Sequence, residues 1–331
     1  QQIMKRQRHS YRGAALLAAM LTVSLVAMLA AGAVWQQWRT VEVESTERQH
    51  AQAQWLLLGA LDWARVILRE DARSGNADAP TDHLAEPWAI PLQEARLSTF
   101  LAANSNSSIG SKSGMNSNGS FSNTNSDDAL TQQVYLSGQI SDLQARMNVS
   151  NLLQGSQIDL KSLQAFERLF EALSLPTAQL NTLAQGLVAA QLQKDGAPLM
   201  PQRVSQLTWV GLTPQNLVTL TPYITVLPNR TPVNLNTAPT VVLYASVAGL
   251  SLSDANRLAD QRAQNPWSGL DAFQKAAGKP VNVDGTHSVN SRFFEVVGRL
   301  RMPATSLVER SVVQRDQVDV KVLWRESGSL Q

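Results

Sequence analysis

Twenty-one consecutive residues, from Ala14 to Val34, carry no charged side chain: AALLAAMLTVSLVAMLAAGAV. At 1.5 Å per residue, a helix of that length just crosses a hydrocarbon core of about 30 Å. The rest of the chain is therefore expected to hang from a membrane segment. Lys5, Arg6, Arg8 and Arg12 precede the run with no acid among them, which keeps the N-terminus cytoplasmic and sends the remainder across. For a bacterial chain this means a single pass through the inner membrane with a globular head in the periplasm. Trp35 and Trp38 follow the run, where indole rings favour the headgroup boundary. A secretory signal peptide is the simpler reading, but its apolar region is usually about 7 to 15 residues long. Met4 is the expected initiator, with Gln1 to Ile3 upstream of it.

Charge and composition shorten the list of functions. The 331 residues carry 28 Lys+Arg and 26 Asp+Glu. Without the four basic residues of the leader, 24 basic side chains stand against 26 acidic ones, a net charge of −2. Such a body has no bulk attraction for phosphate. The absence of cysteine excludes a disulfide scaffold, a zinc ribbon, a thiol nucleophile and a CxxC redox pair. His9, His50, His83 and His287 show no HxxxH or HExxH spacing, and no GxSxG, Walker A or GxGxxG string occurs. Neither an enzyme nor a metal centre is expected. Asp127 and Asp128 read as a solvated loop end, and the eight scattered tryptophans as core and boundary anchors rather than a stacking platform.

At roughly 150 residues per domain the length suggests about two folded units. The helical pattern runs past the membrane: Leu57, Leu61, Ala64 and Leu68 form one stripe, and Leu56, Ala60, Trp63 and Ile67 a second beside it. Helix from about Ala14 to Asp71 would be about 85 Å long. Residues 104–126 are almost entirely Asn, Ser, Gly and Thr, a composition that reads as a disordered surface loop. Alternation resumes in YLSGQISDLQARMNVSNLL, helix dominates from Leu160 to about Ala277, and period-2 strands return in FFEVVGRLRM and SVVQRDQVDVKVLW, with Val318, Val320, Val322 and Trp324 on one face. A sheet interrupted by an inserted helical subdomain is the expected plan.

The short basic leader ending Tyr11-Arg12-Gly13, directly before the apolar helix, resembles the type IV prepilin class. That resemblance implies a peptidase cut between Gly13 and Ala14, methylation, and a glutamate five residues after the cut. Ala18 stands there instead. A carboxylate deep in a bilayer costs about 2.5–3.5 kcal/mol unless it is paired. In that class its partner is the free amine of the subunit ahead, so a subunit without it suits the first position of a filament. Together with RGAALL, GALDWARVIL, SDLQARMNVSNLL, PVNLNTAPTVVLYASVAGLSLSDANRLADQR and SVNSRFFEVVGRLRM, in this order over nearly the whole chain, the sequence resembles the protein K family of the general (type II) secretion pathway.

That family implies an α+β, pilin-like fold, in which a long N-terminal transmembrane helix packs on an antiparallel sheet interrupted by a large inserted α-helical domain of SAM-like or helix-hairpin-helix type. The expected boundaries are a leader at 1–13, the membrane part of the helix at 14–34, the first part of the pilin-like domain at 35–159, the insertion at 160–280 and the closing strands at 281–331. The implied role is that of a minor pseudopilin at the tip of a periplasmic pseudopilus, starting assembly and capping the fibre for export across the outer membrane. The implied partners are the I and J minor pseudopilins, the major pseudopilin and the prepilin peptidase. Calcium sites reported in the family depend on clustered carboxylates. The corresponding stretch here, QLQKDGAPLMPQRVSQLTWV, holds one acid, Asp195, so no cofactor is expected.

Residues 233–279 support a rival reading, since they look like a tandem helix-hairpin-helix of the kind found in periplasmic DNA-uptake proteins. Pro239 suits an early helical turn, Gly249 a C-cap, and Ser251 or Ser253 the next N-cap. The first turn reads Gly249-Leu250-Ser251 and the second Ala277-Gly278-Lys279, while Arg257 and Arg262 are offset by Asp254 and Asp260. That balance favours structural or protein-binding reuse of the motif over nucleic acid. A third reading is a signal-anchored periplasmic scaffold unrelated to filaments.

Overall fold

The computed structural model describes residues 12–74, 81–99, 134–193, 196–303 and 305–329. The leader up to Tyr11, the Asn/Ser stretch 104–126 and Asp195 lie outside the described residues. The first helix, α1, runs Arg12–Ser74, and the chain divides into two compact units, Gln1–Leu56 and Leu57–Gln331.

In the larger unit, five strands form one antiparallel sheet whose spatial order follows the chain: β1 (Leu92–Arg96), β2 (Tyr135–Asp142), β3 (Phe293–Arg301), β4 (Ser306–Asp316) and β5 (Asp319–Ser329). Leu61, Ala64 and Leu68 of α1 are buried against Ile140, Phe294, Val296, Val313 and Val320. This is the 3,4 stripe read from the sequence meeting the period-2 face of a sheet. Side chains of α1 also reach the last hairpin: the Arg65 guanidinium donates to the Val320 carbonyl at 2.9 and 3.0 Å, and Arg69 Nε to that of Val318 at 3.2 Å.

The second stripe behaves differently. Ala60 and Ile67 are only partly buried and Trp63 is exposed, so the buried face is narrower than two stripes. Gly298 leaves room for the first stripe, since a Cβ there would stand 3.1 Å from Leu57 Cδ2. Alternation along β5 also fails. A bulge shifts the register between Val312 and Val313, which pair with Trp324 and Val322 respectively. Trp324 therefore leaves the face of Val320 and packs with Leu143, Leu227, Phe293 and Val312. There the Arg203 guanidinium lies 4.8 Å from its ring and 3.2 Å from Glu326.

Among the described residues no strand of the sheet lies between Asp142 and Phe293, so by topology the insertion is wider than 160–280. It holds α2 (Leu160–Ala172), α3 (Thr177–Leu192), α4 (Pro214–Leu220), α5 (Thr240–Ser246), α6 (Leu252–Gln264) and α7 (Leu270–Ala277) around one core. Two parallel two-residue pairings, Met147–Asn148 with Ile224–Thr225 and Val233–Asn234 with His287–Ser288, tie its ends. Such pairings are too short to announce themselves as alternation. Phe166, Phe170, Leu180, Leu183 and Phe273 are fully buried in this core. Gly186 of α3 faces the turn Val204–Val210 so closely that an added Cβ would lie 2.9 Å from Val210 Cβ and nearer still to the Val210 carbonyl oxygen. A Gly186→Val variant is expected to lose at least ~1–3 kcal/mol through overpacking, read as a lower urea midpoint at unchanged slope.

Candidate functional site: a bare apolar helix and a buried polar junction

In the unit Gln1–Leu56, Gly13 and Ala14 fall in the first turn of α1 and Ala18 is exposed. Every large apolar side chain from Leu16 to Val34 is more than half exposed. The polar groups within this run are internally satisfied: Thr22 Oγ1 donates to the Ala19 carbonyl at 2.9 Å and Ser24 Oγ to that of Met20 at 2.8 Å. A helix with no orphan hydroxyl and an all-round apolar surface fits lipid or like helices, not water. Trp35 and Trp38 stand exposed one turn apart, ring centroids 5.9 Å from each other. Among the described residues, one helix, Ala15–Ser74, is long and apolar enough to cross a membrane, with a mean hydropathy of 2.2 over its most apolar window.

In the larger unit the sheet and the insertion share a buried polar junction at the end of β2. Asp142 Oδ2 accepts from Thr237 Oγ1 (2.5 Å), Ser291 Oγ (2.6 Å) and Asn234 Nδ2 (3.0 Å), while Oδ1 accepts from the Gln144 amide (2.7 Å). Asn234 Nδ2 also reaches the Asp82 carbonyl at 3.1 Å, and the Ser291 amide donates to Asp82 Oδ2 at 2.7 Å. Beside it, the Arg315 guanidinium spans Asp71 at 2.7 Å and Asp82 at 2.5 Å. Burial alone would lower the Arg315 pKa, but Asp82 and Asp71 together raise it, so it stays charged. These pairs fasten the last turns of α1, the 81–90 segment, β4 and the insertion to one another.

Burial pushes the Asp142 carboxyl up to about 6, against its hydroxyl donors. Burial and the nearby Asp71 push Glu86 up to about 7, although Trp88 Nε1 donates to it at 2.5 Å. Both groups bind protons more tightly folded than unfolded, so stability is expected to rise as pH falls from about 7 towards 4.5 and to be lost as pH rises through 6 to 7. The Asp142 share is at most about 3 kcal/mol. Below that window Asp284 acts in the opposite direction: held near 2 first by its hydrogen bonds from Thr286, it loses stability on protonation. Buried His287, its pKa lowered by burial, opposes Asp142 and Glu86 in their window, so the check is a difference: in a pH series of thermal melts Glu86→Gln should lose less stability than the unmodified chain as pH rises from about 5 to 7.5.

Asp71, Asp82 and Glu86 are the one group of three carboxylates close enough to share a cation among the described residues. Arg315 already supplies two of them with a cationic partner. That pairing neutralises two of the three carboxylates that a hard cation would need. In the stretch that the resemblance associates with calcium, residues 196–210 contain no acid.

The helix-hairpin-helix segment folds as α5, α6 and α7, with Pro239 at the N-cap position of α5 rather than inside it. Ser251, not Ser253, caps α6: its hydroxyl accepts from the Asp254 amide, and Asp254 returns the bond to the Ser251 amide. Gly249 has φ +95°, and a Cβ there would lie 3.2 Å from the Pro280 carbonyl. The turn is covered by its own chain, and its Ser251 amide is taken. The arginines are engaged too: Arg257 donates to the Ala276 and Ala277 carbonyls at 3.0 and 3.1 Å, capping α7, and buried Arg262 donates to that of Leu235 at 2.5 Å. Lys279 pairs with Asp254. At this turn the Ser251 amide, Arg257, Arg262 and Lys279 are all engaged within the fold, which leaves little cation to meet a phosphate backbone.

An apolar N-terminal helix continuing into a segment packed on an antiparallel sheet, with a helical insertion between the second and third strands, defines an α+β pilin-like protein. Two family models described as type II secretion system, protein K match residues 145–229 and 233–290. Curated relatives named type II secretion system protein K are 25% identical in Pseudomonas aeruginosa, over 97% of this chain and 94% of the relative, and 29% identical in Klebsiella pneumoniae, over 93% and 96%. A chain from the crystal structure of the GspK–GspI–GspJ complex of the enterotoxigenic Escherichia coli type 2 secretion system has the same fold, with a TM-score of 0.60 at 19% identity, covering 86% of this chain and 98% of that one. Over nearly its whole length the chain is similar to proteins of the type II secretion system protein K family.

Proposed function

We propose that this chain is the tip subunit of a periplasmic pseudopilus, anchored in the inner membrane with its head outside, and that it starts assembly and caps the finished fibre. The observation that carries the reading is Ala18 on an exposed apolar helix face. A subunit with no carboxylate at that depth has no amine ahead of it to neutralise. It joins the bundle by apolar packing alone and needs no predecessor. The insertion between β2 and β3 adds bulk to the head and hinders addition above it. The P. aeruginosa and K. pneumoniae relatives support membership of the same machine. The complex in which the similar E. coli chain was crystallised supports I- and J-type minor pseudopilins as neighbours. The major pseudopilin would then follow, and the prepilin peptidase would process the leader. The role is structural, without a catalytic step.

Co-expression of the full chain with its two small minor pseudopilins, followed by affinity purification in detergent, is expected to yield a stoichiometric ternary complex. No complex, together with salt-sensitive binding to duplex DNA, would transfer the function to the helix-hairpin-helix reading.

A further inference from the structure

The flank of α1 that lifts from the sheet leaves a cavity of about 300 Å³, walled by Ala60, Ile67, Trp88, Leu92, Leu136 and Gly298 among others. This is the lower end of ligand-pocket volumes and has room for one long side chain. Ile90, also on the wall, is 66% exposed and gives the opening an apolar rim. The wall is mostly apolar; Ser137, Gln139, Ser311 and Glu309 are its polar members, and Glu309 of β4, 4% exposed, is the charged one. Its Oε2 is turned to β5, 3.3 Å from Ser327 Oγ and 3.7 Å from Arg325 Nε. Its neighbour on the cavity side is Gly298, which has no side chain to offer. Glu309 Oε1 has no hydrogen-bond partner among the described residues, a costly arrangement for a buried carboxylate oxygen.

We propose that this cavity is the socket for one basic side chain of a partner subunit, its alkyl shaft lying along Ala60, Leu136 and Trp88 and its nitrogen head donating to Glu309 Oε1. The proposal rests on the assembly reading above and names the chemistry of one contact in it. Charge complementarity selects the occupant. A purely apolar side chain or an acyl chain would fill the volume and leave the oxygen unpaired. A lysine or arginine buries its stem and delivers a donor at the far end. The cavity lies beside β1, an edge strand of the sheet, with Ile90 and Leu92 on its wall.

The full chain in phosphatidylcholine nanodiscs, carrying ¹⁵N-indole tryptophan, tests this with n-butylammonium and n-butanol as probes. The Trp88 resonance is expected to shift saturably with both, with the cation binding about tenfold tighter. Glu309→Gln should abolish the preference, and Ala60→Leu, which fills the cavity and leaves the carboxylate in place, should abolish both titrations. Equal binding of the two probes, or no saturable shift in the unmodified chain, overturns the proposal in favour of an apolar occupant or none. In the ternary complex the ammonium titration should disappear. A complex that forms while Trp88 still responds refutes the socket and leaves the assembly reading intact, whereas failure to form any complex overturns both.

Discussion

An Arg315→Met variant is expected to lose about 3–5 kcal/mol of stability, the largest loss foreseen for any single side chain in the head. The side chain is 9% exposed and its guanidinium faces Asp71 and Asp82, with Glu86 completing a group of carboxylates. Removing the cation leaves at least one buried anion without a counter-charge. The same side chain donates to the Ser291 carbonyl at 3.0 Å and lies 4.8 Å from the Phe294 ring. The change therefore loosens α1, the 81–90 segment, the sheet and the insertion together, and unfolding should stay cooperative at a lower urea midpoint. The Arg292–Asp316 pair, 3.1 Å apart with both side chains more than half exposed, is the control. Arg292→Ala is expected to cost no more than about 1 kcal/mol. Equal effects from the two variants would show that the buried cluster contributes no more than a solvated ion pair.

Replacing Gly13 by leucine is expected to abolish maturation and leave the full precursor in the inner membrane. A peptidase that cuts next to this residue must bring its catalytic groups against the backbone, and glycine presents no Cβ to that approach. The apolar helix that follows is unchanged, so insertion into the membrane should proceed normally. The effect is read as an electrophoretic shift of the whole population, with export lost in parallel. Normal processing of Gly13→Leu would remove the chain from the prepilin class while leaving the fold of its head untouched.

Much of the fold could be read from the sequence because it is written in local periodicity. The stripe Leu57, Leu61, Ala64 and Leu68 is buried on the sheet. The alternating runs around Tyr135, Phe293 and Ser306 are strands, and the region after Leu160 is helical. What escaped depends on contacts far apart in the chain. The second stripe of α1 is only partly covered, which depends on how the helix meets strands more than 200 residues away and not on its own period. A single extra residue in β5 turns Trp324 to the opposite face, and alternation cannot register a bulge in advance.

The polar junction was legible only in outline. Asp142, Asn234 and Ser291 each lie inside a string that carried the family resemblance, SDLQARMNVSNLL, PVNLNTAP and SVNSRFF. Nothing in their spacing shows that the three strings meet at one carboxylate. Asp82 and Arg315 carried no signal at all, because a lone charged residue in a loop or strand ordinarily reads as solvated. The helix-hairpin-helix pattern was visible as a pattern, and only the placement of Arg257, Arg262 and the Gly249 turn showed that its donors are spent within the fold.

The central claim is that the greasy N-terminal helix is a processed packing element shared with sister subunits. Intact-mass and peptide mass spectrometry of the protein isolated from its own membranes tests this most directly. The account predicts a mature chain that begins at Ala14 and carries a methylated amine. A chain that retains Lys5 to Arg12, or one that starts beyond Val34, would contradict it.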